Sequence, residues 1–145
     1  MNINQYKPQL TSLFDASDVV LAYLFGSEAK GTANRESDID IAVLLSDQIP
    51  QAEYGQRVVD LNTELIGIFQ RNAVDVALLN NAPPLLAFQV VRHGVVIYDP
   101  HHRYVSFYID TFNHYADTQP LRDLQWQYYL KRQGAKSQQP RNESD

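Results

Sequence analysis

Two aspartates one residue apart, Asp38 and Asp40 in DIDIAVLL, are the side chains best arranged to do chemistry. Aspartate is depleted in strands, and at ~3.3 Å rise per residue the two carboxylates of an extended Asp-x-Asp share a face about 6.6 Å apart. At an effective dielectric of ~20 their repulsion is about 2.5 kcal/mol, large beside a domain stability of roughly 5–15 kcal/mol. Such a pair persists either on a solvated face, where water and salt screen it, or because a cation reverses the sign of the interaction. Magnesium suits the second case: it takes oxygen ligands, binds through one or two carboxylates and completes its shell with phosphate and water. Asp75 stands in another apolar run, AVDVALL, so a neighbouring strand can set a third carboxylate beside the first two. Three such acids suit a two-metal centre that stabilises charge on both sides of an in-line displacement. Asp75 is also a candidate to accept the nucleophile's proton; its plainer role is a strand-end aspartate capping a turn.

Upstream, Gly26-Ser27 ends an apolar run, with ten residues between Ser27 and Asp38. Glycine lets the backbone approach a ligand, and a serine hydroxyl and amide at a helix N-terminus favour an anion. Taken alone, a Gly-Ser pair after a strand is more often an ordinary turn.

The elements that must position these residues follow from periodicity. Residues 19–25 and 38–45 read as strands; in the second, alternation sends Ile39, Ile41 and Val43 to one face and Asp38, Asp40 and Ala42 to the other. Val58, Leu61, Leu65, Ile66 and Phe69 repeat with a helical period over 52–71, a crossover to a third strand over 74–79. A covering helix is expected near the N-terminus, with Leu10, Leu13 and Phe14 on one face. A short helix over 85–93 ends at Gly94, followed by an edge strand over 95–98. Tyr104, Phe107, Tyr108, Phe112 and Tyr115 keep helical spacing, Pro120 interrupts, and Leu121, Leu124 and Tyr128 resume it, giving two C-terminal helices. Their aromatics read first as core contacts between helix and sheet; a partner interface including Trp126 is the alternative.

At 145 residues and 44% hydrophobic content the chain fits one domain over 1–132, with a disordered polar tail over 133–145. It holds no cysteine, which excludes disulfides, thiolate zinc sites and cysteine nucleophiles. Its N-terminus has no signal-like segment and no run spans a membrane, so a cytoplasmic protein with no membrane association is expected. A net charge of −5 argues against direct nucleic-acid binding, yet a divalent ion and local donors suffice for one nucleotide. His93, His101, His102 and His114 are assigned no role.

The stretch GSEAKGTANRESDIDIAVLL resembles the minimal nucleotidyltransferases of the polymerase-beta superfamily at Gly26, Ser27, Asp38 and Asp40, and also at Ala29, Gly31, Ala33 and Ser37. The resemblance runs from about Val19 through Asp75 and weakly to Tyr98, leaving the C-terminal helices outside it, and implies an α+β fold, a mixed sheet flanked by helices. It implies ATP as donor, Gly26 and Ser27 holding its β and γ phosphates, Asp38 and Asp40 binding metal and Asp75 as third acid. Lys30 stands where arginine is common and is a candidate phosphate contact as a point charge, with Arg35 a second candidate; the plainer role of both is a solvated loop cation. Small members of this group resemble the antitoxin half of two-gene systems, which implies a HEPN-type ribonuclease toxin as partner and AMP transfer to one of its tyrosines. Other acceptors consistent with the sequence are an aminoglycoside-like small molecule or, with no turnover, a toxin that is only masked.

Overall fold

The structure, a computed structural model, describes residues 2–26 and 38–137, the last three as backbone alone. A single mixed sheet is built from β1 (Val19–Phe25), β2 (Ile39–Leu45), β3 (Val74–Leu78) and β4 (Val95–Tyr98) in the order β3-β2-β1-β4. The two inner strands, VVLAYLF and IDIAVLL, are nearly continuous apolar runs because both of their faces are covered. β1 runs antiparallel to both neighbours, whereas β2 and β3 are parallel. A parallel pair needs a crossover, and α2 (Tyr54–Phe69) supplies it, ending where Gln70 turns left-handed at φ 55°.

Helices lie on both faces. On one, α1 (Lys7–Ala16) and α2 bury Leu10, Phe14, Leu61, Leu65 and Phe69 against Ile39, Ile41 and Val43. On the other, α3 (Pro84–His93) and α4 (Tyr104–Asp117) lie over Tyr23, Ala42 and Leu44, with Phe88 stacked on Tyr115 at 4.2 Å. The alternation expected of β2 is thus realised: the isoleucines enter one core, and Asp40 shares its face with Ala42 and Leu44.

Two features depart from the sequence reading. The aromatics of 104–129 are mostly not core: Phe107 and Tyr115 pack inward, but Tyr104, Tyr108, Phe112, Trp126, Tyr128 and Tyr129 are exposed. Helical spacing reveals an apolar face without telling whether this chain or another covers it. The last helix, α5 (Gln119–Ser137), passes the expected boundary at 132, because its sequence up to Ser137 contains no proline beyond Pro120 in its first turn. Residues 138–145 of the expected tail lie outside the described residues.

Candidate active site

Strand pairing assembles the acids. The β2–β3 register sets Asp40 directly opposite Asp75, and the β1–β2 register sets Asp40 opposite Phe25. Val74, Val76 and Leu78 face the core under α1 and α2, so Asp75 projects to the opposite face, as Asp40 does. Asp38 lies two residues before Asp40, just ahead of the strand, and is exposed. The register is pinned at both ends. The Ile39 amide donates to the Ala73 carbonyl at 2.8 Å and the Leu79 amide to the Val43 carbonyl at 2.8 Å. Beyond that point the Asn80 side chain takes over, accepting from the Leu45 amide at 2.8 Å and donating to the Leu45 carbonyl at 3.0 Å. Asn80 therefore extends β2's hydrogen bonding where β3 has ended, a role hidden in a sequence that reads only as a turn.

Gly26 closes the site on the β1 side. Its φ is +75°, in the left-handed region, and a Cβ there would collide with Asp40 Oδ2. The backbone angle favours glycine, and any other residue here would push the Asp40 carboxylate out of its position.

The electrostatics are those of crowded acids. The Asp40 pKa is raised above its ordinary value, first by burial and then by the charges of Asp75 and Asp38. Carboxylate oxygens that repel one another are the donor set a hard divalent cation prefers, and such an ion would relieve that repulsion. Among the described residues no three acids or histidines form a ready-made cage. The fit is to magnesium held by a few carboxylates and completed by phosphate and water, rather than to a closed structural metal site.

Of the residues singled out from sequence, Gly26, Asp38, Asp40 and Asp75 are thus gathered at one end of the sheet. Ser27, Lys30 and Arg35 lie outside the described residues.

Residues 9–103 match the family described as polymerase beta, nucleotidyltransferase. The chain is 33% identical over 102 residues, 70% of each chain, to the protein adenylyltransferase MntA of Shewanella oneidensis. Among solved structures it is similar to a chain of a toxin–antitoxin complex with AMP-PNP, at 29% identity and a TM-score of 0.73, over 90% of this chain and 99% of that one. It is also similar to a chain of an MntA toxin–antitoxin complex bearing two aspartate-to-glutamate substitutions, at 25% identity and a TM-score of 0.70, over 86% and 98%. The matched segment contains the whole four-stranded sheet with its three acids, and the chain belongs to the polymerase beta nucleotidyltransferase family.

Proposed function

We propose that this chain is a magnesium-dependent protein adenylyltransferase that moves AMP from ATP to a tyrosine hydroxyl of a HEPN-type ribonuclease toxin and so acts as its antitoxin. The observation that carries the reading is the pairing of Asp40 with Asp75 across parallel strands, closed on the other side by a glycine that only a left-handed turn explains. Likeness to a protein adenylyltransferase supports the reaction class.

Asp38, Asp40 and Asp75 would hold two magnesium ions, which supply charge neutralisation for the triphosphate and for the leaving pyrophosphate. The chain's own groups do the rest. Gly26 and Ser27 bind the β and γ phosphates, with Lys30 and Arg35 as further cationic contacts. The acceptor's hydroxyl oxygen attacks the α-phosphorus; the new P–O bond joins AMP to the tyrosine, the bond to the bridging α,β-oxygen breaks, and pyrophosphate departs. Asp75 takes the hydroxyl proton. It suits that role better than Asp40, because it is exposed on an edge strand, whereas Asp40 is hemmed in by Gly26 and Phe25. An AMP group on the toxin adds negative charge and bulk near its RNA site and opposes RNA binding.

Pyrophosphate release that requires ATP and toxin together, and that disappears with Asp40→Asn, tests the reading; release unaffected by that change overturns it. The exposed apolar surface of α4 and α5 favours a second contribution, in which binding alone masks the toxin. An Asp40→Asn protein that still neutralises the toxin fully would make masking the main effect.

A further inference from the structure

Between α3 and α4 runs a groove of about 500 Å³ lined by Phe88, Arg92, Tyr108, Ile109 and Phe112. Its apolar wall is open to solvent: Ile109 is 53% and Phe112 49% exposed. Tyr108 and Phe112, and beside them Val105 and Ile109, form two rows at four-residue spacing, the ridge pattern into which a second helix packs. Arg92 lies 6.0 Å above the Phe88 ring and, among the described residues, has no acidic partner. The groove also belongs to the same sheet face as the acids, since Phe88 packs in one cluster with Ala42 and Leu44, which share Asp40's face of β2.

We propose that this groove docks an amphipathic helix of the protein acceptor, an apolar ridge seated on Ile109 and Phe112 with a carboxylate beside it paired to Arg92. The proposal rests on the reading that the acceptor is a HEPN-type toxin, and it adds where that toxin is held: over the same sheet face as Asp40 and Asp75. A second copy of this chain is a poorer occupant. A two-fold self-contact sets the same patch against itself, and the lining offers Arg92 no acid to meet.

The test is isothermal titration of the full-length chain with the HEPN-type toxin, for wild type, Ile109→Glu/Phe112→Glu and Arg92→Glu, alongside titration with magnesium-ATP and sedimentation of the chain alone. Both positions of the double variant are solvent-exposed, so the fold should tolerate it. We expect the double variant to bind toxin at least a hundredfold more weakly and Arg92→Glu at least tenfold, with magnesium-ATP affinity within twofold of wild type. Toxin affinity within twofold of wild type for both variants overturns the proposal. So does a wild-type chain that fails to bind toxin, or variants that abolish a self-dimer yet bind toxin normally. A tight wild-type complex that never acquires AMP overturns the transferase reading instead, and the affinity ratios still decide the docking site.

Discussion

Asp40 and Asp75 are register partners on parallel strands, so their carboxylates leave the sheet on one face from strands about 4.8 Å apart. Two strands that bury their other side chains in a common core cannot relax this contact by moving apart. The repulsion is therefore held in place by packing, which supports the proposed reading of the acid cluster as a metal site.

Removing that repulsion should stabilise the metal-free protein. Asp40→Asn keeps the shape of the side chain and deletes the charge, and we expect Tm to rise by about 4 °C, the shift that ~1 kcal/mol gives at this size. AMP transfer should fall to below roughly a thousandth of wild type. Scanning calorimetry with an activity assay on one preparation checks both; a variant less stable than wild type would mean the acids do not strain the fold.

The pH dependence follows from the same residue. Folding raises the Asp40 pKa, so the folded state holds that proton more tightly than the unfolded chain does. This contribution is present below the ordinary carboxylate range and is lost as pH rises through the raised value. Magnesium binds the ionised form, so its addition should raise Tm strongly near neutral pH and little at the acidic end of that range. Thermal melts with magnesium chloride against potassium chloride of equal ionic strength separate the effect from screening. Equal shifts at both pH values would exclude Asp40 as a ligand.

Gly26→Ala meets two penalties, a left-handed φ and a collision with the Asp40 carboxylate. The first alone costs roughly 1–2 kcal/mol. Because the second belongs to Asp40, Gly26→Ala should be less destabilising in an Asp40→Ala background. A double-mutant cycle by urea unfolding measures the coupling. Strict additivity would place the whole cost in the backbone angle.

Asn80→Ala leaves both backbone groups of Leu45 without their partner. We expect a loss of about 1–3 kcal/mol in urea unfolding. AMP transfer at low temperature should persist, since Asn80 acts at the far end of β2 from the acids. A variant as stable as wild type would show that water replaces the amide.

Much of the fold and of the acid site is legible in the sequence, for reasons specific to the residues. Val19–Phe25 and Ile39–Leu45 stand out as buried strands, and the period-two alternation of DIDIAVLL is enough to assign the face of each aspartate. The helical period of 54–69 gives the crossover, hence a parallel neighbour carrying Asp75. What is not legible depends on register and on long-range contact. That Asp75 faces Asp40 rather than Asp38 requires the pairing of Ile39 with Val74. That Asn80 clamps Leu45 requires two segments 35 residues apart to meet. Whether Tyr108 and Phe112 are core or surface depends on how much of α4 the short helix α3 can cover.

Intact-mass spectrometry of the HEPN-type toxin after incubation with this chain, ATP and magnesium tests the adenylyltransferase reading most directly. We predict a gain of one or more AMP units on the toxin, absent with Asp38→Asn/Asp40→Asn; an unchanged toxin mass in a stable complex would contradict it.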